Sequence, residues 1–401
     1  MNTTASPLSV SLPATVLVPP PTRLQAAALA RKQPLPRWAD LVLLPAVCLL
    51  VALAMAALVV AAVGQQPAEV LRVLVQGAFG SARGLSYTLY YATTFIFTGL
   101  AVAVAFHGGL FNIGGEGQAI LGGLGTGLMA LWLGPHLPAW LLLPLMLLSG
   151  ALLGMAWAVV PGVLQAWRGS HVVITTIMLN FIASSLLVYV MVNFIRPPGM
   201  MSVESVPFAA AAKLPAMHEF MAWLGIEWPR SPLNVSLFIA LLAALAVTFF
   251  LWHTLAGYRL RAVGSSPGAA EYAGIDVRRQ IVIAMAVSGA LAGLVGMNEI
   301  AGVNGRLLLE FVSGAGFTGI AVSLMGRSHP LGIVLASILF GALFQGGAEV
   351  AFEVPGFSRE MVVMLQGFIV LFSGAMVYVI APWLGWALAL VKAPGKAVRH
   401  G

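Results

Sequence analysis

Charge is what this chain has least of. Of its 401 residues only 8% are Asp, Glu, Lys or Arg, while 60% are hydrophobic. A soluble domain carries about 25% charged residues to keep its surface hydrated, so an ordinary soluble fold is excluded. A wholly disordered chain is excluded too, because disorder needs low hydrophobicity. Cysteine is nearly absent: Cys48 stands alone, which excludes a disulfide framework and a Cys-based metal site. No phosphate-binding loop is present, since Gly395-Lys396 is followed by Ala397 rather than Ser or Thr. HExxH, paired Cys and GxSxG are missing as well. His107, His136, His171, His218, His253, His329 and His400 are scattered one at a time. A membrane enzyme would need a catalytic cluster, and none is visible, so the chain reads as a non-enzyme.

What is present is length without charge. A bilayer core about 30 Å thick needs roughly 20 apolar residues per spanning helix. Uncharged runs of that kind lie at 41–63, 85–106, 139–160, 172–195, 233–255, 280–298, 330–347 and 361–382. Two shorter glycine-rich runs, 117–133 and 312–326, are either short spans or broken, re-entrant segments. The expected fold class is therefore all-α, a polytopic membrane protein with about ten transmembrane or broken helices. With ten, both termini share one side. Placing them inside puts 13 basic and four acidic residues on inner segments, and seven basic and nine acidic ones on outer segments. That is the positive-inside bias, so the net charge of +7 needs no nucleic-acid partner to explain it.

Residues 1–38 form a Pro-, Ala- and Ser-rich segment, read as a disordered cytoplasmic tail. The apolar run after it exceeds the 7–15 residues of a signal peptide, so the first helix is expected to stay uncleaved. The transmembrane domain is expected over 39–382, with 383–401 as a second cytoplasmic tail. The outer segment 196–232 holds Pro197, Pro198, Pro207, Pro215, Pro229 and Pro232, too many for one helix. Trp223 and Trp228 suit the interface level there, and the segment reads as an external cap without chemistry.

Three motifs stand out. The first is His107-Gly108-Gly109-Leu110-Phe111-Asn112-Ile113-Gly114-Gly115-Glu116-Gly117-Gln118. Five glycines surround an acid at the mouth of a short span. Either this loop lines a solute path, or it is a tight turn with Glu116 solvated at a helix N-terminus. The second runs from Tyr258 to Arg279. Ser266 suits an N-cap, Pro267 the first helical position, and Gly274 a left-handed stop. A two-turn helix outside the bilayer follows, either a docking element or a capped connector; helices so short are marginal alone. The third is Gly314 to Gly326, whose Phe317-Thr318-Gly319-Ile320-Ala321-Val322 echoes Phe97-Thr98-Gly99-Leu100-Ala101-Val102. Small-residue pairs four apart, Gly123/Gly127, Gly150/Gly154 and Gly289/Gly293, let helices approach closely within or between subunits.

Together these residues resemble a known family. Phe111-Asn112-Ile113-Gly114 leading into Glu116-Gly117-Gln118 is similar to the signature of permease subunits from bacterial ATP-binding cassette importers. The likeness continues through Arg261-Ala262-Val263-Gly264, Ala269-Ala270, Ala273-Gly274-Ile275, Gly289-Ala290-Leu291-Ala292-Gly293, Asn304-Gly305-Arg306 and Gly316–Val322, covering roughly 85–380 in order. Within the ribose and branched-chain amino-acid permease superfamily, Gly-Glu-Gly-Gln looks most like the simple-sugar and nucleoside group.

The resemblance implies a permease that binds no cofactor, ATP being bound by a separate cytoplasmic ABC ATPase. It implies a second permease subunit, giving a heterodimer, a substrate-binding lipoprotein or periplasmic protein, and a bacterial inner-membrane location. It places Asn112, Glu116 and Gln118, with Phe317 and Thr318, near the substrate path. It makes 256–279 the coupling loop, with Ser265, Ser266, Pro267, Ala270, Glu271 and Gly274 facing the ATPase. The rival is an ion-coupled transporter or channel acting alone. That protein should carry carboxylates inside its spans, whereas Glu116, Glu299 and Glu310 are expected at span ends.

Overall fold

A computed structural model describes Pro36, Ala39 and residues 43–392 apart from Val63. Apart from Pro36, the expected tail over 1–38 lies outside the described residues, as do residues 393–401. The chain divides into two units, residues 1–48 with 375–401, and residues 49–374. The first is helical wherever it is described beyond residue 43; there Trp383 and Trp386 meet edge to face, their ring centroids 6.3 Å apart.

The helices are α1 (Leu44–Ala62), α2 (Pro67–Phe79), α3 (Ala82–His107), α4 (Gly115–Leu133), α5 (Ala139–Arg168), α6 (Val172–Val190), α7 (Met217–Trp223), α8 (Ser236–His253), α9 (Leu255–Ser265), α10 (Pro267–Tyr272), α11 (Val277–Gly293), α12 (Ala315–Met325), α13 (Pro330–Glu353) and α14 (Arg359–Lys392). α6 runs on into a π turn at Met191–Ile195, and α11 is followed by a π-helical stretch at Met297–Asn304. Among the described residues the only strand-like pairings are two isolated bridges. Six helical runs are long and apolar enough to cross a membrane: Ala82–His107, Ala139–Arg168, Val172–Ile195, Ser236–His253, Val277–Asn304 and Pro330–Glu353. The protein is thus an all-α, multi-pass membrane protein.

Every expected run falls on a helix. The two doubtful ones separate: α4 has 19 residues, and α12 only 11. At 1.5 Å per residue α12 spans about 16 Å, half a bilayer, so it is a broken segment. α14 continues through Pro382 to Lys392, past the expected start of the terminal tail. α2 was not expected. Its Glu69, Arg72 and Gln76 disqualify it as a span, yet Val70, Val73 and Ala78 give it one buried face.

The inner frame is a seam of small residues. Gly150 and Gly154 of α5 lie against Gly289 and Gly293 of α11; a Cβ on Gly293 would come within 2.2 Å of the Gly150 carbonyl oxygen. Gly123 and Gly127 face Phe311 and Leu307 instead. All three pairs therefore serve packing within the chain. At one end of the bundle the 202–235 segment is sewn to the stretch after α11. Ser205 N–H donates to Leu307 O, Phe208 N–H to Gly305 O and Leu214 N–H to Ala301 O, at 2.7–3.0 Å. Arg306 pairs with Glu204 at 2.9 Å, and Trp228 Nε1 donates to Ser86 Oγ at 2.9 Å. Trp228 is thus committed to the protein, whereas Trp223 is 81% exposed.

Candidate functional site

The Asn112 loop climbs back along the bundle rather than turning in solvent. α3 and α12 run parallel. Thr98 lies against Gly319, and at their C-terminal ends His107 Nε2 sits 3.0 Å from Ser328 O. The echoed segments 97–102 and 317–322 therefore lie side by side. Residues 108–114 return from that end to bring the start of α4 to the start of α12, beside the middle of α3.

Glu116 joins the two starts. Its Oε1 accepts the Gly314 N–H and its Oε2 the Gly316 N–H, both at 2.8 Å. A helix leaves its first four N–H groups unsatisfied and carries partial positive charge there. Glu116 sits in the first turn of α4 and also caps α12 from outside, so one carboxylate serves two helix N-termini. The solvated-turn reading is overturned, because both hydrogen-bond partners of the carboxylate come from the remote 314–316 stretch.

Asn112 is fully buried and makes four hydrogen bonds. Nδ2 donates to Gln118 Oε1 (3.0 Å) and Ser288 Oγ (2.8 Å); Oδ1 accepts from Gly114 N (2.8 Å) and Gln118 Nε2 (3.2 Å). Ser288 Oγ in turn donates to Ala101 O at 2.6 Å. Asn180 of α6 grips the same loop, donating to Ile113 O at 3.0 Å and accepting from Gly117 N at 2.9 Å. Asn112 and Gln118 thus fix the loop.

A cavity of about 360 Å³ lies beside the Glu116 clasp, lined by Glu116, Ser184, Leu187, Glu310, Ser313 and Gly314 among others. Its lining is rich in acceptors. The backbone leading to α12 is strained here: Glu310 and Ser313 have φ of 57° and 48°, and Gly314 follows at 80°, which glycine adopts freely. Such conformations cost L residues about 1–3 kcal/mol each and cluster at functional sites. Phe317 is 48% exposed and Thr318 Oγ1 donates to Gly314 O at 3.2 Å; neither lines this cavity.

The 256–279 loop holds two helices, α9 and α10, where one was expected. α10 is bounded as its residues dictate. Ser266 Oγ accepts the Ala269 N–H at 3.4 Å and Pro267 occupies the first position. At the other end Gly274 takes φ +76°, with Gly274 N–H to Glu271 O (2.9 Å) and Ile275 N–H to Ala270 O (3.0 Å). This is the Schellman arrangement. Ala270 is buried beneath the helix; Ser265 and Glu271 are exposed, and Tyr272 is 99% exposed. The sequence reading passed over Tyr272, a fully exposed aromatic on this capped helix.

Two further groupings were not foreseen. Glu299, expected at a span end, is buried in the Val277–Asn304 run. It accepts from Tyr90 Oη (2.5 Å) and Thr94 Oγ1 (2.6 Å). Its neighbour Asn298 extends the network, donating to Thr94 Oγ1 (2.8 Å) and accepting from Asn234 Nδ2 (3.0 Å) and Ser236 Oγ (2.7 Å). The scattered histidines also converge in part: His107 and His329 both pack on Trp252, at 5.5 and 5.0 Å. Among the described residues no three His, Cys, Asp or Glu come together as a metal site would require.

Comparison with known proteins matches residues 84–374 to the family described as branched-chain amino acid transport system, permease component. A guanosine ABC transporter permease protein, NupP of Bacillus subtilis, is 35% identical over 82% of this chain and 92% of its own length. A nucleoside ABC transporter permease protein, NupB of Lactococcus lactis, is 32% identical over 90% and 97%. A glucose ABC transporter permease protein, TsgB13 of Haloferax volcanii, is 34% identical over 82% and 86%.

Proposed function

We propose, for a chain that belongs to the permease-component family of the branched-chain amino acid transport system, that it is the membrane path for a neutral, hydroxyl-rich solute, a nucleoside or simple sugar. The chain is a permease subunit of an ABC importer, and its relatives are transport proteins rather than enzymes. The cavity beside Glu116 supports the solute class. Two carboxylates and two hydroxyls line it, and no cation does, which suits a ligand that donates hydrogen bonds and carries no negative charge. Guanosine, nucleoside and glucose, named for the relatives, share that chemistry.

The motor is a separate cytoplasmic ATPase that holds the ATP and grips α10, with Tyr272 as the anchor between Ser266 and Gly274. A second permease subunit closes the path; a binding lipoprotein or periplasmic protein delivers the solute. The chain sits in the bacterial inner membrane with both termini cytoplasmic. The observation that carries this reading is the pairing of a capped, protruding α10 with a cavity at the meeting point of two helix N-termini. The test is solute-stimulated ATP hydrolysis by the assembled complex. Tyr272→Ala should uncouple it while the chain stays folded, and an unchanged rate would refute α10 as the contact.

One observation favours the ion-coupled rival, the buried Glu299. Its oxygens already accept two hydroxyl hydrogens, so an ion would have to displace them. Uptake by the purified chain alone in a proton or sodium gradient would establish that rival.

A further inference from the structure

The cavity beside Glu116 lacks a wall. Its lining comes from the start of α4, from α6 and from residues 309–314. Within that lining Ser184, Val188, Glu310 and Ser313 are exposed, so the cavity opens at the side of the chain. Its depth is fixed by two helices. Ser184 stands at the middle of the 24-residue crossing run Val172–Ile195, about 18 Å from either end. Along α4, Gly127 meets Leu307, Gly123 meets Phe311 and Gly115 meets Gly316, so the 307–316 stretch runs antiparallel beside that helix. A bilayer core reaches about 15 Å either side of its middle, so Glu310 lies at hydrocarbon depth. Its carboxylate makes no hydrogen bond or ion pair among the described residues.

Neither irregular backbone nor a free carboxylate is tolerated against lipid tails; at this depth each must meet protein or a water-filled path. A path needs protein on every side. An ATPase gripping α10 and a soluble binding protein both stay outside the membrane, so the missing wall belongs to another membrane-embedded chain. The outer face of α6 has the composition of a protein contact. Phe181 is 67% and Tyr189 57% exposed, Ser184 and Ser185 are exposed between them, and no charge occurs from Val172 to Ile195. Interface cores are rich in aromatic and poor in charged residues. α8 differs: it exposes Phe238, Leu241, Leu242, Leu245 and Phe249, and no polar residue before His253. We infer that a second permease subunit seats on α6 along Phe181, Ser185 and Tyr189 and closes the cavity over Glu310, while α8 faces lipid. The inference rests on the two-permease reading above and adds the face at which the two meet.

The experiment places the photocrosslinker benzoylphenylalanine at Phe181 or Tyr189, and at Leu245 or Phe249 as equally exposed controls, in the assembled complex in nanodiscs. Crosslinked peptides are read by mass spectrometry. Phe181 and Tyr189 positions should link to the second permease subunit; a link to another copy of this chain supports the face equally. The α8 positions should link to lipid alone. Ser185→Trp should lower recovery of the second subunit about tenfold, the size of one overpacked contact, while Leu245→Trp leaves it unchanged. The reverse crosslinking pattern, links from α6 to lipid alone, or unchanged recovery with Ser185→Trp would overturn the inference. Solute uptake by the purified chain alone would instead overturn the two-permease reading itself. ATP-driven uptake with subunit crosslinks on α8 keeps that reading and strikes only the face.

Discussion

Replacing Glu116 by Gln separates a clasp from a ligand-binding carboxylate. In the native chain each oxygen accepts one backbone N–H of the 314–316 stretch at 2.8 Å. Gln keeps one acceptor oxygen but turns an NH₂ group toward the other N–H, so one bond is lost. Hydrogen bonds to charged groups contribute about 1.5–3 kcal/mol net. Removing the charge also forfeits about 0.3–1 kcal/mol of attraction to the helix dipole. The sum, about 2–4 kcal/mol, should fall on the start of α12 rather than on the whole molecule. At 1.4 kcal/mol per decade, amides 314–318 should exchange roughly 30- to 700-fold faster when exchange reports the opening equilibrium. Hydrogen-exchange mass spectrometry of the full chain in nanodiscs measures this, with the α5–α11 seam as an unchanged internal control. Normal protection over 314–318 together with a raised transport KM would refute the clasp. Glu116 would then act on the solute alone.

Other perturbations follow from the same geometry. Gly274→Val forces a β-branched residue into φ +76°, where only conformation and no neighbour resists it; it should destabilise α10 by about 1–2 kcal/mol and lower solute-stimulated ATP hydrolysis. Tyr272→Ala should abolish that stimulation while leaving the thermal midpoint of the isolated chain within about 1 °C, since a 99% exposed ring holds nothing inside the chain. Glu299→Leu strands the Tyr90 and Thr94 hydroxyls without their acceptor and should cost about 2–6 kcal/mol at 1–3 per group, read as a lowered unfolding midpoint. Gly293→Ala puts a methyl group 2.2 Å from the Gly150 carbonyl oxygen and should cost about 1–3 kcal/mol by the same measurement.

What the sequence revealed and what it hid divides by range. Hydropathy located each span because a run of twenty uncharged residues is a local property. Ser266, Pro267 and Gly274 announced α10 because capping is decided within six to nine residues, and the Schellman bonds to Gly274 and Ile275 are local too. Glu116 was noticed for its residue type but its environment was left undecided, because its two partners lie 198 and 200 residues away. Glu299 went wrong for the same reason: Tyr90 and Thr94 are more than 200 residues distant, and without them a lone acid looks like the end of a span. α2 was missed because its charged face breaks the apolar run while its buried face is a stripe only a helix reveals. Asn180 and Ser288, which lock the Asn112 loop, carried no signal beyond being polar residues in apolar runs. That signal was available in principle. In a span a polar side chain must find a partner inside the protein, so each one marks a tertiary contact whose other half is unknown. Pairing those halves turns a list of spans into a site, and it was the step that local reading could not take.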